Sequence, residues 1–371
     1  MNRAKTLFLE LLSAAIWERT ADSQLFENVD SKLWEQVCEL GIDQKVVALI
    51  FDGVLSLPPE LHPEKKIIFK LHLQSESIER TNNRINNVLK KLSAEYEKLG
   101  CPFVLLKGPA NAFFYPNPLH RTTGDIDAFL YQKGDYQKAN NWARSKGLEM
   151  EPENIHHQAF KYEGVLIENH KWASYFGISK FDKLLEQKVD EINANNEFLS
   201  INIDGVEVKV LPHEFNALFL FHHLFHQFIH LGVGIRQLCD LVLFCDRYSS
   251  LMDKDAFMRL AIEFELLYGM QIFASVAVKY LGANPSIFPF AINTEDDNVD
   301  MVMDDIFSGG SFGYAIFQNK RFRTSLHRKW YSFRYSSKRL RKIHNIAPSH
   351  TANLPLNKVM TNIKVLFKKK I

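Results

Sequence analysis

Apolar residues recur three and four positions apart through the first hundred residues, which is the helical repeat. This spacing predicts helices over 4–21 and 32–40, and one or two long helices over 64–99. Asp52-Gly53 and Leu57-Pro58-Pro59 read as breaks between them. In the stretch 75–98, Ile78, Ile85, Val88, Leu89 and Leu92 share one face, and Asn, Arg, Lys and Glu fill the rest. Gly100 is placed to close this helix as a left-handed cap.

The texture then changes. The short apolar run 101–106, bounded by Gly100 and Lys107-Gly108, fits a buried strand. A helical turn is expected over 110–114, and Tyr115-Pro116-Asn117-Pro118 must be loop. The run 125–130 begins polar–apolar and ends fully apolar, like a strand entering a core. Residues 135–146 read as a helix closed by Gly147, and 159–162 with 165–170 as a hairpin about Glu163-Gly164. This unit is about 75 residues long, too short for a doubly wound sheet. Beyond residue 175 the helical repeat returns over 181–195, 213–230, 236–247, 253–268 and 271–281, with a hairpin at Asp204-Gly205.

Composition narrows the class. Hydrophobic residues make up 46% and charged residues 24%, so the chain is not wholly disordered. No apolar run reaches the ~20 residues of a membrane span, and the N-terminal stretch reads as an amphipathic helix, not a signal peptide. Cys38, Cys101, Cys239 and Cys245 make no CxxC pair, so a reducing cytoplasm is the expected compartment. The net charge of +2 hides a split: from Lys320 onward there are fifteen Lys and Arg and no acid. The remaining 30 basic residues face all 43 acidic ones. A basic tail on an acidic body predicts an anionic partner for the tail or docking on the body itself. Tyr331, Phe333 and Tyr335, interleaved with Arg328, Lys329, Arg334, Lys338 and Arg339, suit base stacking, a lipid interface or an amphipathic docking helix.

Candidate chemistry concentrates in two short strings. Asp125 and Asp127 alternate on a strand and so point to one face. Adjacent carboxylates repel unless a cation neutralises them. Mg²⁺ prefers oxygen ligands and keeps part of its shell for substrate phosphates, which suits such a pair. Gly124, just before the strand, is expected to allow close backbone approach. Glu168 supplies a third carboxylate on a later strand, with His170 on the same face and Val165 and Ile167 on the other. A metal-sharing role for Glu168 requires its strand to lie beside that of Asp125 and Asp127. His222, His226 and His230 lie one turn apart, but His223 stands where an HExxH zinc motif needs Glu. The helix is therefore expected to pack its phenylalanines inward and set some histidines near a cleft.

The ordered set Lys107-Gly108, Tyr115-Pro116, Arg121, Asp125-Ile126-Asp127 and Glu168-Asn169-His170 resembles the bacterial uncharacterised nucleotidyltransferase family, within the DNA polymerase beta-like superfamily. The resemblance continues through Pro212, His226 and His230 to Arg236 and Asp240. It implies an α+β fold: a small mixed-sheet core flanked by helical regions. The corresponding division is a helical region 1–98, a core 99–211, a second helical region 212–319 and a basic tail 320–371. It also implies transfer of a nucleoside monophosphate from an NTP to an unidentified acceptor, with Mg²⁺ or Mn²⁺ held by Asp125, Asp127 and Glu168. Lys107, Gly108, Arg121 and Gly124 would meet the nucleotide, and His170, His226, His230, Arg236 and Asp240 would border the cleft. Pro109 stands where other branches carry Ser, so no hydroxyl is available there for a phosphate. Two alternatives stay open from sequence: an inactive nucleotide-binding relative, and a nucleic-acid-binding regulator acting through its tail.

Overall fold

A 35-residue helix and a six-stranded mixed sheet position everything else in the computed structural model, which describes residues 1–230, 232–309 and 324–352. Helix α1 (Arg3–Ile16), α2 (Ser31–Asp43) and α3 (Val47–Leu55) precede α4 (Lys65–Leu99). Gly100 caps α4 in the left-handed conformation, with φ 60°.

The break expected at Asp52-Gly53 is not there. Gly53 lies inside α3, where a Cβ would come within 2.3 Å of the Leu11 carbonyl oxygen. The glycine serves a close crossing of α1 and α3 and punctuates nothing. Helix α1 also stops at Ile16, short of the expected 21.

The sheet comprises β1 (Val104–Leu105), β2 (Asp125–Phe129), β3 (His157–Tyr162), β4 (Val165–His170), β5 (Leu199–Ile203) and β6 (Val206–Val210), in the order β3-β4-β2-β1-β6-β5. Pairing is parallel for β2–β4 and β1–β6 and antiparallel elsewhere. Only two residues of the apolar run 101–106 pair as strand. The turn α5 (Pro109–Ala112) and helix α6 (Asp135–Ser145) connect the strands.

Alternation along β2 and β4 divides the faces. Ile126, Ala128 and Ile167 join Ile85, Leu89 and Leu92 of α4 and Trp142 of α6 in one core. Tyr96 of α4 donates to Asn169 at 2.7 Å, and Asn169 donates to Asn140 at 2.9 Å, fastening helix, sheet and α6 in the same layer. The opposite face carries Asp125, Asp127, Glu168 and His170.

Helix α7 (Ser179–Ala194) precedes the β5–β6 hairpin. Helices α8 (His213–His230), α9 (Ile235–Tyr248), α10 (Lys254–Glu263), α11 (Leu267–Leu281) and α12 (Asp297–Gly309) follow it. The single helix expected over 253–268 is two helices. Glu265 takes φ 54°, and Leu266 N–H closes back on the Ala261 carbonyl at 2.9 Å, a left-handed helix ending. Helices from both ends of the chain share one core: Ser13 donates to the Leu281 carbonyl at 2.9 Å.

The C-terminal helix Ser325–Ile343 also joins this core through Leu340 and Ile343. Arg339, 5% exposed, pairs with Asp305 of α12 and donates from Nε to the Phe228 carbonyl at 2.7 Å. His350 bonds the Phe264 carbonyl at 2.8 Å. The side chains of Arg328, Lys329, Phe333 and Tyr335 lie outside the described residues, as does everything after Ala352. No helix among the described residues is long and apolar enough to cross a membrane.

Candidate active site

The parallel register of β2 and β4 sets Asp127 beside Glu168 and Phe129 beside His170. Glu168 thus stands next to the aspartate strand, as its proposed role requires. Gly108, between β1 and α5, has φ 65°, and a Cβ there would lie 2.7 Å from the Asp125 carbonyl oxygen. Only glycine lets this turn approach β2 so closely. That approach brings Lys107 Nζ to 2.7 Å from Asp127 Oδ1 and 4.0 Å from Asp125 Oδ2. His170 Nε2 is 2.9 Å from the same Asp127 oxygen and 3.3 Å from Glu168 Oε2.

The charges are strongly coupled. Burial alone would raise the Asp127 carboxyl, but Lys107 and His170 hold it well below the usual carboxylate range. Asp125 moves the other way, pushed up first by Asp127 and then by burial. Burial opposes the charge on Lys107, yet Asp127, Asp125 and Glu168 raise its pKa. His170 is likewise raised against its burial by hydrogen bonds to Asp127 and Glu168. Asp127 Oδ2 is buried and has no hydrogen-bond partner. A buried carboxylate oxygen without a donor is costly unless something positive meets it. Asp127, Glu168 and His170 each bring one ligand atom within 4.8 Å of the others, a group that could hold a cation, with Asp125 two residues before Asp127 on the same strand face.

The loop from Asn117 to Gly124 is braced from two sides. Asn82 of α4 donates to the carbonyls of Leu119 (2.6 Å) and Arg121 (2.8 Å). His120 bridges Asp52 of α3 at 2.6 Å and Glu79 of α4 at 2.7 Å. Arg121 then turns inward. Its Nε and Nη2 donate to the two oxygens of Asp240 at 2.8 and 2.7 Å, and Nη1 donates to Thr123 at 3.2 Å. Tyr115 and Asn111 donate to the same carboxylate at 2.7 and 3.1 Å. Burial would raise the Asp240 carboxyl, but Arg121 brings it down to about 2.

Arg236 donates to the Thr122 carbonyl at 2.5 Å, while its Nε is buried with no acceptor. Burial and the neighbouring Arg121 charge lower its pKa. Lys107, Gly108, Arg121, Gly124, Asp125 and Arg236 line a cavity of about 320 Å³ that Glu168 and Asp240 also border. A second cavity of about 190 Å³ adjoins it, sharing Lys107, Glu168, His223 and Gln227 and reaching His170, His222 and His226. Burial keeps these α8 imidazoles neutral, with His223 brought down to about 3 and His226 to about 4. His230 lies a turn further on, its ring 4.3 Å from that of His226.

The structure therefore gathers Lys107, Gly108, Asp125, Asp127, Glu168 and His170 at one point, with Arg236 across the cavity. Arg121 and Asp240 satisfy each other at the wall of that cavity. Sequence reasoning missed Asn111, His120, His156, His157 and Gln227. His156 and His157 precede the strand expected over 159–162, so no alternation pattern placed them on a face.

Asp125 of the paired-carboxylate strand and the cations Lys107, Arg121 and Arg236 thus line one cavity. A model of the uncharacterised nucleotidyltransferase family matches residues 30–282, and the chain belongs to that family. Comparison with curated proteins and with solved structures gives no match.

Proposed function

We propose that the protein transfers a nucleoside monophosphate from an NTP to an acceptor with release of pyrophosphate, at the face formed by Asp125, Asp127 and Glu168. The observation that carries this reading is the partnerless Asp127 Oδ2, buried beside two further carboxylates. Asp125, Asp127 and Glu168 are the residues that would hold Mg²⁺ or Mn²⁺. Such an ion supplies charge neutralisation of a triphosphate and in-line alignment of the reacting oxygens.

The chain's own groups divide the remaining work. Lys107 offsets the crowding of three carboxylates and stands at the mouth of the larger cavity. Arg236 presents a buried N–H that lacks an acceptor, a fitting counterpart for a phosphate oxygen. His170 fixes the orientation of Asp127 through its 2.9 Å bond. Arg121 acts from the cavity wall, holding the loop before Gly124 through Asp240.

The test is pyrophosphate release with each labelled NTP, Mg²⁺ and panels of protein, sugar and RNA acceptors. Metal-dependent release that disappears in Asp127→Asn supports the reading. Tight, metal-dependent NTP binding without release under every acceptor would leave an inactive nucleotide-binding relative in its place.

A further inference from the structure

Beside the carboxylates stands a cluster that shares Glu168 and His170 with the proposed transfer site and adds two histidines, His156 and His157, that the transfer does not use. His157 opens β3 directly opposite His170 of β4, and the Lys171 N–H bonds the His156 carbonyl at 3.0 Å. The backbone ladder therefore holds His156, His157 and His170 at one sheet edge. One ligating nitrogen from each lies within 4.8 Å of the other two. The ring centroids are 4.5 Å apart for His156–His157, 5.2 Å for His157–His170 and 5.7 Å for His156–His170.

Glu168 joins them, its Oε2 lying 3.6 Å from His157 Nδ1 and 3.3 Å from His170 Nε2. His157 Nδ1 is buried and has no hydrogen-bond partner. Three imidazoles packed together with an unmet nitrogen are costly to bury unless something draws the nitrogens to one point.

We propose that His156, His157 and His170, with Glu168, form a second cation site selective for a first-row transition ion such as Zn²⁺ over Mg²⁺. Imidazole nitrogen is a preferred donor for such ions, whereas Mg²⁺ takes oxygen and dehydrates reluctantly. Ligand bonds of ~2.0–2.1 Å require the nitrogens to close by roughly 1 Å, which side-chain rotation supplies. Each imidazole belongs to β3, β4 or the residue before β3, so the backbone need not move.

His156, Glu168 and His170 line the smaller cavity, and Arg236 lines only the larger one. The cluster thus borders the smaller cavity, which shares Lys107 and Glu168 with the larger one. The site stands whether or not the chain transfers nucleotides.

The experiment uses the full chain, tag-free and chelator-stripped, titrated with Co²⁺ in a large excess of Mg²⁺ and followed by visible absorption. One Co²⁺ per chain is expected to remain bound, with bands of a nitrogen-containing shell. His156→Gln combined with His157→Gln should weaken binding by more than ~100-fold, beyond the losses typical of outer-shell changes. Asp125→Asn should keep the Co²⁺ bands while losing pyrophosphate release, which separates this site from the transfer reading.

Displacement of Co²⁺ by Mg²⁺, no stoichiometric binding, or wild-type affinity in the double variant would overturn the proposal. Thermal melts verify that the double variant folds. If it does not, X-ray absorption of the wild-type Co²⁺ complex decides: imidazole scattering supports the site, and an all-oxygen shell overturns it.

Discussion

Two aspartates are buried at this centre, and their surroundings differ in one respect. Asp240 receives four hydrogen bonds, from Arg121 twice, Tyr115 and Asn111, so both of its oxygens are met. Asp127 has Lys107 and His170 on one oxygen and nothing on the other. Both carboxylates are held ionised, but only Asp240 is complete. A completed buried ion pair fixes geometry, and an incomplete one keeps a place for something that arrives later. The contrast leaves Asp127, and not Asp240, an oxygen open to a further partner, although sequence presents both simply as acids in a motif.

Breaking the complete pair should cost the most. Asp240→Ala strands Arg121 in the interior and is expected to destabilise the fold by about 3–5 kcal/mol, read from denaturant midpoints. A loss below about 1 kcal/mol would show that Arg121 finds another partner or water, and the contrast would collapse.

Asp127→Asn is the mirror experiment. Transfer should fall by about 10²–10³-fold, the usual range for removing one electrostatic group from a reacting centre. Stability should also fall, but by less than in Asp240→Ala, because relief of the repulsion with Asp125 offsets part of the lost pairing with Lys107 and His170. Equal effects on melting and turnover would place Asp127 with Asp240 as architecture.

A finer test removes the cation that shares the Asp127 face. In Lys107→Met, the three carboxylates lose their internal counter-charge. Mn²⁺ affinity, measured by electron paramagnetic resonance of the free ion, should rise about tenfold, or about 1.4 kcal/mol, while turnover falls. Unchanged Mn²⁺ affinity would mean that the ammonium and the ion do not compete for the same charge.

The smallest effect concerns the brace behind Arg121. Burial opposes protonation of His120, but Asp52 and Glu79 raise its pKa above the usual histidine value. Its contribution is therefore fully present below about pH 6.5, the ordinary value of a free histidine, and is lost as pH rises through the higher folded pKa. Solvent screening of the two partly exposed carboxylates keeps this below about 1 kcal/mol. His120→Gln should flatten that part of the stability–pH curve, and an unchanged slope would exclude the bridge as its source.

Local pattern was enough for the elements that carry the site. The alternation in Asp125-Ile126-Asp127 and in Val165–His170 correctly separated the core-facing residues from the polar face, because period two is a property of the strand itself. The neighbouring of Asp127 and Glu168 could only be required, not read, since strand order is set by long-range pairing. Arg121 and Asp240 lie 119 residues apart, so nothing local in the chain signals the pairing they make at the cavity wall. Gly53 misled for a related reason: its small size answers to Leu11, forty-two residues earlier, and not to its own backbone. Glu265, an ordinary helix former by propensity, ends a helix where the packing of Phe264 and Leu266 demands a turn.

Arg339 reaches across from the C-terminal helix to the Phe228 carbonyl of α8, whose histidines wall the smaller cavity. On the ribosome this fastening is among the last to be made. Every described strand has been made by Val210, yet the tie from Arg339 to α8 waits until residues near 339 follow, roughly ten seconds later at usual elongation rates. A message cut short in that interval encodes the carboxylates of the site without the arginine that ties α8 to the C-terminal helix.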